Sequence, residues 1–527
     1  MEEPQVLICG AGPVGLVLAL WLQRFQVPFR IIDKAPAPGL ASRALIVQSR
    51  ILEHYRQLGI VDRIIAAGNK FGALYLTGNG RVKGKLILDD AGRDCSKYPY
   101  SFVLPQDIHE KILEEILMEQ GVKIERNVEL MNVTQSPENV QVTMKNLQND
   151  TQETIAVEYL AGCDGARSFV RKAAGIRMEG GTYGKRFYVA DVHIDPSTPM
   201  LVPPESANMN LSPSDFCMLI PFEDRGNCRM VGYVPEQLAD KKDVTFEDIE
   251  QRASKVTRLK YNGAAWFSTY NLHHRVASHF RTGRIFLCGD ACHLHSPTGG
   301  QGMNAGIVDA TNLAWKLASV LINSAPASIL DTYEPERQAF AKLLVSTTDM
   351  IFSWISGSTM IGWFFRSVIL SYVVPFMMKF AVMRKNMFLM VSQLKVAYPQ
   401  SSLSRNVLNM TKGKALAGDR LPWIDGDDKL PDNHDSLAIC SWQVHVYGDV
   451  KRDFVKSLQE QGLPLNVYPW SPRTKLAGLI EDAVYLLRPD GHIGCISSQI
   501  DAPALWQYAR DSGATRIQSS RDREMPR

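Results

Sequence analysis

A glycine-rich turn close to the N-terminus constrains the fold of this chain more than any other feature. The apolar run at 6–9 is typical of a buried parallel strand, and the apolar stretch at 16–25 is typical of a helix. Between them lie Gly10, Gly12 and Gly15 in the pattern G-x-G-x-x-G. The first glycine permits a tight turn, the second lets a pyrophosphate approach the backbone, and the third allows close helix–strand packing.

The residues around this turn complete a dinucleotide-binding pattern. A second strand-like run, 29–32, ends at Asp33, where a carboxylate can accept hydrogen bonds from a ribose. The unpaired N–H groups at the start of the helix attract anionic phosphates. Pro13 and Val14 in the turn and Lys34 after the acid are therefore further candidates for cofactor binding. The pattern alone leaves FAD and NAD as alternatives.

Two more glycine-bearing signatures follow further along the chain. Asp164 and Gly165 come directly after one strand-like run. Asp290 follows another such run and leads into the glycine-rich loop 297–306, after which a long helical pattern begins. A strand, an acid, a glycine-rich loop and a helix start together predict a second site for polar or anionic groups of a ligand.

In this order, the three signatures resemble those of the class A flavoprotein monooxygenases, the p-hydroxybenzoate hydroxylase and phenol hydroxylase group. The resemblance implies that the first turn holds the ADP part of FAD. It also implies that Asp164 serves both FAD and NAD(P)H, and that Asp290 holds the ribityl chain of the flavin. The residues that the resemblance places along the flavin ring are Pro297, Gly300, Gly302, Met303 and Asn304.

Two shorter matches extend the resemblance. Arg43 falls where the family has an arginine near the flavin, and Gln106 falls where it has a flavin-binding Gln or Arg. The helix that follows is predicted to start at Asp107 as the N-cap, with Glu110 three residues later as its capping partner. We expect Gly121 to end this helix.

The resemblance also implies the fold class, which is α/β (α+β overall). It consists of a Rossmann-type FAD-binding domain with an inserted β-sheet substrate domain, a helical segment and a C-terminal thioredoxin-like domain. The last domain has no C-x-x-C pair, so we expect a structural or oligomer-contact role. The predicted bounds are 1–72, 100–178 and 271–345 for the FAD-binding domain, 73–99 and 179–270 for the substrate domain, 346–410 for the helical segment and 411–527 for the C-terminal domain.

The implied reaction is the hydroxylation of an aromatic or polyketide-like compound of secondary metabolism. It uses O2 through a flavin hydroperoxide, with NADPH or NADH as the reductant. Only one strand–turn–helix nucleotide unit occurs, so NAD(P)H is expected to bind as a transient co-substrate. The alternatives are an epoxidase or a Baeyer–Villiger monooxygenase on the same scaffold, or a non-catalytic flavin-binding protein. The Trp-x-Trp-x-x-Ile motif of flavin-dependent halogenases does not occur.

The group that activates the substrate is not apparent from a motif. A base or cationic group beside a phenolic oxygen would raise the electron density of the ring. Phenol hydroxylases carry an Asp at the position of Leu45, which argues against simple phenol as the substrate. The candidates for catalysis are Arg43, Tyr188 and Tyr233, and His193 lies in the same sheet-like region. The three sheet candidates are otherwise ordinary strand residues.

Composition excludes several classes of protein. Lys and Arg total 58 against 55 Asp and Glu, and the resulting net charge of +3 argues against a nucleic-acid partner. Nine scattered cysteines without a C-x-x-C pair argue against a disulfide framework and favour a cytoplasmic location. No metal is expected at His293 and His295, since no carboxylate or cysteine ligand is expected near this pair.

An apolar run at 350–378 leaves a membrane question open, because Arg366 is its only charged residue. That arginine divides the run into pieces shorter than the roughly 20 residues that span a bilayer, and Pro375 interrupts the second piece. We therefore expect a buried or homodimer-facing helical segment. Peripheral membrane association is the alternative, and it would imply an apolar substrate that enters from the bilayer.

Overall fold

The computed structural model describes twelve segments of the chain. These are residues 3–39, 44–78, 80–87, 91–203, 205–210, 216–222, 227–296, 299–323, 325–356, 360–408, 414–427 and 430–514.

Short strands and helices alternate through most of the chain. The strands are β1 (Val6–Cys9), β2 (Phe29–Asp33), β3 (Ile46–Val47), β4 (Asn69–Phe71), β5 (Ala73–Gly78), β6 (Arg81–Ile87), β7 (Ser101–Val103), β8 (Ile124–Arg126), β9 (Val128–Gln135), β10 (Val140–Asn146), β11 (Gln152–Val157), β12 (Tyr159–Gly162), β13 (Met178–Ile194), β14 (Ala207–Asn210), β15 (Cys217–Pro221), β16 (Asn227–Tyr233), β17 (Tyr261–Ala277), β18 (Arg281–Thr282), β19 (Ile285–Leu287), β20 (His293–Leu294), β21 (Arg405–Asn406), β22 (Gln443–Tyr447), β23 (Leu465–Tyr468), β24 (Ala483–Leu487) and β25 (Ile493–Ser498). The helices are α1 (Pro13–Arg24), α2 (Ser49–Leu58), α3 (Val61–Ala66), α4 (Gln106–Glu119), α5 (Phe169–Ala173), α6 (Phe246–Thr257), α7 (Gly302–Leu321), α8 (Tyr333–Ser356), α9 (Met360–Phe364), α10 (Val374–Met377), α11 (Ala381–Val391), α12 (Arg452–Gln461), α13 (Pro472–Leu476) and α14 (Ala502–Asp511), with a π-helical stretch, Phe365–Val373, between α9 and α10.

The N-terminal sheet has six strands in the order β18-β19-β12-β1-β2-β8. From β19 to β8 neighbouring strands run parallel. β1 lies in the middle of the sheet, and its apolar side chains are fully buried because helices cover such parallel sheets. Helices α1 and α7 are both lined by buried residues and pack against each other. The predicted Rossmann-type domain is confirmed.

An eight-stranded sheet is inserted into this unit, in the order β20-β17-β13-β16-β15-β14-β5-β6. Its long strands β13 and β17 pair antiparallel over most of their lengths. Alternate side chains of such strands point to opposite faces. One face packs on α6 through Phe246, Ile249 and Ala253, and the other turns toward the N-terminal domain. The predicted inserted sheet domain is confirmed.

The C-terminal domain contains a five-stranded sheet in the order β21-β25-β24-β22-β23. It packs behind α7, where the Trp315 and Trp442 rings meet edge to face at 5.8 Å. The Trp315 indole N–H donates to Asp490 at 3.1 Å, so the domain contact also includes a buried polar bond. All nine cysteines lie within the described residues, and no two of them form a disulfide.

Helix α4 begins two residues earlier than the sequence predicts. Pro105 occupies the N-cap position and no side chain caps the first turn, so the prediction of an Asp107–Glu110 capping pair is wrong. Glu110 instead accepts a hydrogen bond from the Gln106 amide at 2.7 Å. Gly121 has φ +80° just after the helix, and its prediction as the helix stop is confirmed.

The apolar run after α8 folds into several helical pieces that are only partly buried. Arg366 turns inward and donates to the Trp354 carbonyl at 3.0 Å. The prediction of burial is wrong for the outer face, where Phe364, Tyr372 and Phe376 are exposed. Within the described residues, no single helix is long and apolar enough to cross a membrane; the pair Phe365–Met377 and Ala381–Val391 meets that criterion only when joined across a 113° bend.

Candidate functional site

The three glycines of the first turn have different surroundings. Gly10 has φ +107°, and a Cβ there would lie 2.4 Å from the Cys163 carbonyl oxygen. A Cβ on Gly15 would lie 1.9 Å from the Gly10 oxygen. These two positions must be glycine because protein atoms fill the space. A Cβ on Gly12 would meet no atom within 4 Å, so its backbone borders open space that a ligand can enter.

Asp33 at the end of β2 braces this turn. One carboxylate oxygen accepts the Ala11 N–H at 2.7 Å, and the other accepts the Ala35 N–H at 2.8 Å. Lys34 beside it is exposed. Pro13 is the first residue of α1, where its fixed φ suits the helix start and its missing N–H costs nothing. The predicted acid therefore lies at the open turn, where a ribose would be placed.

The two carboxylate oxygens of Asp164 have different surroundings. Its Oδ2 accepts the N–H groups of Phe169 and Val170 at 2.6 and 3.1 Å, at the start of α5. Its Oδ1 is buried without a hydrogen-bond partner among the described residues. Gly165 next to it has φ +76°, and a Cβ there would face open space. A buried carboxylate oxygen normally has a partner, so this one suits a hydroxyl of a bound ligand.

The Gly-Asp turn after β19 is packed directly on the first turn. Gly289 has φ +63°, and a Cβ there would lie 2.9 Å from Cγ2 of Val14. A Cβ on Gly306 in α7 would lie 2.6 Å from the same methyl. Val14 thus occupies the junction between two signatures that are far apart in the sequence. Asp290 is exposed on the turn.

A buried ionic cluster supports the Gly-Asp turn from behind. Asp309 in α7 accepts the Gly289 N–H at 3.0 Å and the Arg337 guanidinium N–H at 2.6 Å. His293 Nε2 lies 2.8 Å from the same carboxylate. Burial by itself would raise the pKa of Asp309, but the charges of Arg337 and His293 outweigh it and lower the pKa. The sequence analysis missed Asp309, although an acid inside an apolar helix is a usable signal.

Two groups that could ligate a metal lie close to His293, contrary to the sequence-based expectation. Ligand atoms of Cys292, His293 and Asp309 lie within 4.8 Å of one another. The Asp309 carboxylate already accepts a hydrogen bond from the Arg337 guanidinium. This ion pair indicates a structural role for the group and argues against a metal site. His295 adjoins the cluster, and burial followed by the charge of His293 lowers its pKa to about 4.

The glycine-rich loop is fixed to the segment around β3 through Asn304. The Asn304 amide donates to the carbonyls of Ile46 and Gly300 at 2.8 and 2.7 Å, and its oxygen accepts the Gln48 N–H at 2.8 Å. Gly302 and Met303 form the first turn of α7. Gly300 has φ +62° and contacts Ile46 closely. Pro297 lies outside the described residues.

Gln106 holds the other end of the same segment. Its side-chain oxygen accepts the Ala44 N–H at 3.1 Å, which fixes the residue directly after the predicted arginine. Arg43 itself lies outside the described residues, so its predicted roles stay predictions. Leu45 is buried in an apolar cluster with Phe71 and Val103.

One face of the inserted sheet turns toward this segment and carries an ion pair whose arginine is buried and whose acid is partly exposed. Arg229 on β16 donates twice to Asp191 on β13, at 2.8 Å for each bond. Its third N–H donates to the Ala44 carbonyl at 3.1 Å. Arg229 is 2% exposed, and the aromatic rings of Phe222 and Trp266 lie beside its guanidinium. This pair was missed by the sequence analysis, although both residues are charges at alternating positions of apolar strands.

The candidate tyrosines lie on opposite faces of the sheet. Tyr233 shares the face of Arg229 and packs with Phe187 and Phe352 in an aromatic cluster. Tyr188 lies on the other face, in the core formed with α6. This position argues against a catalytic role for Tyr188 and corrects that prediction. His193 is exposed near the end of β13 and contacts Asn227 at 2.6 Å.

A comparison with known protein families shows to which family this chain belongs. The profile of the family described as "FAD binding domain" matches residues 3–348. The chain belongs to this family. The three glycine turns, the inserted sheet and helix α7 all lie within the matched part, so the resemblance to class A flavoprotein monooxygenases is confirmed.

Relatives of this FAD-binding protein include named monooxygenases. It is 38% identical over 351 residues to 6-methylpretetramide 4-monooxygenase of Streptomyces rimosus, a match that covers 66% of this chain and 61% of that protein. It is 28% identical over 500 residues to rifampicin monooxygenase of Rhodococcus hoagii, covering 93% of this chain and 95% of the relative. The solved structure of anhydrotetracycline hydroxylase from Streptomyces rimosus superposes with a TM-score of 0.75 at 25% identity, covering 96% of this chain and 98% of that one.

The geometry of the turns fits FAD. Open space at Gly12 suits a pyrophosphate, and Asp33 lies where the adenosine ribose would be bound. The unused Oδ1 of Asp164 and the exposed Asp290 offer acceptors for hydroxyl groups further along the cofactor. The glycine-rich loop that the resemblance places along the flavin ring is fixed to the β3 segment by Asn304.

Proposed function

We propose that this protein is an FAD-dependent monooxygenase that uses NAD(P)H and O2 to hydroxylate an aromatic or polyketide-like compound. The observation that carries the proposal is the convergence of the three turns beside a sheet face that carries the Arg229–Asp191 ion pair. Gly12 borders open space there, and Oδ1 of Asp164 has no partner among the described residues. The names of the monooxygenase relatives support it. When bound, FAD supplies hydride acceptance and oxygen activation.

The chain's own residues would bind and orient the cofactor. The N–H groups at the start of α1 bind the pyrophosphate, and Asp33 orders the turn through Ala11. Asp164 and Asp290 would accept hydrogen bonds from hydroxyl groups of the cofactor. Asn304 keeps the glycine-rich loop at a fixed distance from β3, which makes the flavin cavity rigid before the cofactor binds.

The sheet face would bind the substrate. Its apolar part, which includes Phe187 and Tyr233 and is covered by Phe352 of α8, excludes water and packs against a flat ring. Arg229 supplies a fixed positive charge at the other end, where Asp191 and the Ala44 carbonyl orient it. A nearby cation lowers the pKa of a phenol, whose ordinary value is about 10, and thereby favours the electron-rich phenolate. In this proposal, Arg229 activates the substrate in place of the Asp that phenol hydroxylases carry at the position of Leu45.

The first test is reconstitution of the purified protein with FAD. We expect a yellow protein that oxidises NADPH or NADH and consumes O2 faster when a phenolic or polyketide substrate is added. Running the assay with each nucleotide separately identifies the preferred reductant. A protein that takes up no FAD would contradict the proposal.

A variant pair separates the substrate role of Arg229 from a structural one. We expect Arg229→Lys to keep FAD binding and to shift the pH dependence of turnover upward, because a lysine cannot form the paired hydrogen bonds that hold the charge in place. The control is Arg186→Lys, an arginine in the same sheet that donates to the carbonyls of Leu238 and Lys241. An Arg229→Lys enzyme with an unchanged pH profile would refute the role of Arg229.

The product distinguishes hydroxylation from the alternative reactions. Epoxidation and Baeyer–Villiger insertion also add one oxygen atom, so the product mass must be combined with analysis of the ring structure. A non-catalytic flavin-binding protein would bind FAD and yet show no substrate-stimulated O2 uptake.

The nine cysteines without a disulfide support the proposed cytoplasmic location.

A further inference from the structure

The helical pieces from α9 to α11 present an apolar outer surface. Phe376, Phe380 and Val382 are 58%, 55% and 65% exposed around the bend between α10 and α11. We call this group of residues, together with Met377 and Lys379, the bend tip. Large apolar side chains rarely cluster at the surface without a partner. Further exposed apolar residues of the same segment are Met360, Phe364, Tyr372, Met383 and Met390.

The inner side of the same segment is firmly anchored, so the outer exposure belongs to a fixed structure. Phe388 is fully buried and lies so close to Gly92 that a Cβ there would be 2.0 Å from its ring. Pro375 packs in the same way on Gly84 of β6. Arg384 donates to the carbonyls of Met378 and Lys379, both at 3.1 Å, and stabilises the bend.

The charged residues within this segment all have one sign. Residues 350–418 contain no Asp or Glu, although the whole chain is nearly neutral with a net charge of +3. Lys379 lies in the bend tip with its ammonium 5.8 Å from the centre of the Phe376 ring, and Lys385 is exposed one turn away. The basic residues between 360 and 395 are Arg366, Lys379, Arg384, Lys385 and Lys395.

We propose that the bend tip docks this protein on the surface of an anionic phospholipid bilayer. Aromatic and apolar side chains enter the boundary between headgroups and acyl chains, while the lysines contact the acidic headgroups. Each limb at the bend is shorter than the roughly 20 residues that cross a bilayer, and the 113° angle prevents one continuous span. Symmetric pairing of two tips would bring like charges together, and residues 350–418 themselves contain no acid to neutralise them, which favours lipid over a second copy.

The inner side of this segment also faces the candidate substrate site. Leu370 and Val374 pack in the same apolar cluster as Leu45 and Ile220 of the sheet. The Gln301 side chain in the glycine-rich loop donates to the Val391 carbonyl at 2.5 Å. Docking would therefore place the substrate site directly behind the lipid-contacting surface.

Vesicle sedimentation of the full FAD-loaded protein tests the proposal. We expect the protein to sediment with phosphatidylcholine vesicles that contain 30% phosphatidylserine. Binding to pure phosphatidylcholine should be weaker by about fivefold for each of the two exposed lysines. The Phe376→Ser/Phe380→Ser variant should lose about tenfold in binding for each ring removed, and Lys379→Glu/Lys385→Glu should lose the preference for phosphatidylserine.

The matched control is Leu476→Ser/Ile500→Ser, which removes two apolar side chains of the C-terminal domain that are 84% and 76% exposed. This variant should bind vesicles like the wild type, and all variants should keep the flavin absorbance. The proposal is overturned by wild-type protein that stays in the supernatant or by a control that loses as much binding. A dimer that the Phe376→Ser/Phe380→Ser variant dissociates would overturn it too. Sedimentation needs no turnover, so its failure leaves the proposed monooxygenase activity untouched.

Discussion

The first turn requires glycine at its three positions for two separate reasons. Gly10 and Gly15 lie against backbone atoms, and any side chain there would displace the chain itself. Gly12 faces open space, so the requirement for glycine comes from the ligand. The same motif therefore contains both folding residues and a binding residue, and substitution separates them.

We predict that Gly12→Ala weakens FAD binding by about tenfold or more while the unfolding temperature of the FAD-free protein stays unchanged. The methyl group occupies the space of the pyrophosphate and touches no protein atom. FAD titration by fluorescence and thermal unfolding measure the two effects. Gly15→Ala is the matched control and should lower the unfolding temperature. A Gly12→Ala protein with wild-type FAD affinity would refute the assignment of this space.

At the scale of elements, the Gly-Asp turn depends on helix α7 behind it. Asp309 neutralises Arg337, and both side chains are 0% exposed. We predict that Asp309→Asn destabilises the protein by about 3–5 kcal/mol, because a buried guanidinium loses its counter-charge. FAD affinity should fall as well, since the Gly289 N–H shares this carboxylate. Urea unfolding and FAD titration measure these changes.

The control for Asp309 is Asp331, a largely exposed acid that pairs with Arg281. Asp331→Asn should change the free energy of unfolding by less than about 1 kcal/mol. The lowered pKa of Asp309 means that its contribution is present above about pH 4, the ordinary Asp value, and is lost as the pH falls below it. Equal effects of the two substitutions would contradict the assigned role of the buried cluster.

The sequence predicts these elements unevenly, for a physical reason. The turns at Gly10, Asp164 and Asp290 are local, because strand, glycine and helix start follow each other within a few residues. The Arg229–Asp191 pair joins two strands through sheet pairing, and its register cannot be read from either strand alone. For the same reason, the sequence does not show that Tyr188 lies on the face opposite Arg229.

At the scale of the whole molecule, a buried ionic network joins the C-terminal domain to the FAD-binding domain. Glu336 on α8 accepts hydrogen bonds from Arg488 at 2.8 and 3.0 Å and from Lys316 at 2.8 Å. All three side chains are at most 1% exposed. A second buried pair, Glu53 with Arg420, spans the same two domains. These contacts should make the domains unfold together.

We predict that Glu336→Gln lowers the free energy of unfolding by about 3–5 kcal/mol, because the buried cations Lys316 and Arg488 then lose the negative charge that neutralises them. Urea unfolding followed by fluorescence measures the loss. The control is Glu119→Gln, which removes a surface pair with Arg63 and should cost less than about 1 kcal/mol. A wild-type value for Glu336→Gln would show that the domains do not depend on this network.

Buried histidines predict how the stability of the molecule depends on pH. Burial lowers the pKa of His109 to about 4, and burial is also the largest cause that lowers the pKa of His434 and His445 to about 3. The unfolded chain binds these protons below about pH 6.5 while the folded chain does not. Stability should therefore be greatest above pH 6.5 and fall toward pH 4, by up to about 1.4 kcal/mol per pH unit for each ring.

Urea unfolding between pH 8 and pH 5 tests this slope. His445→Gln should reduce the slope by about one proton, because it removes one of the buried rings. His279→Gln removes an exposed ring that contacts Glu334 and serves as the control. A stability that stays constant down to pH 5 would contradict the burial of these histidines.

We infer that this protein transfers one atom of O2 to an aromatic or polyketide-like substrate with FAD as its cofactor. The most direct measurement is turnover of FAD-loaded enzyme with NAD(P)H under ¹⁸O₂, across a panel of phenols, quinones and polyketides, with mass analysis of the product. Under ¹⁸O₂ we predict a product that carries one ¹⁸O atom. Under ¹⁶O₂ the same product should gain the mass of one ordinary oxygen atom. A product that takes its oxygen from water, or NAD(P)H oxidation that yields only hydrogen peroxide with every compound, would refute the proposed monooxygenase activity.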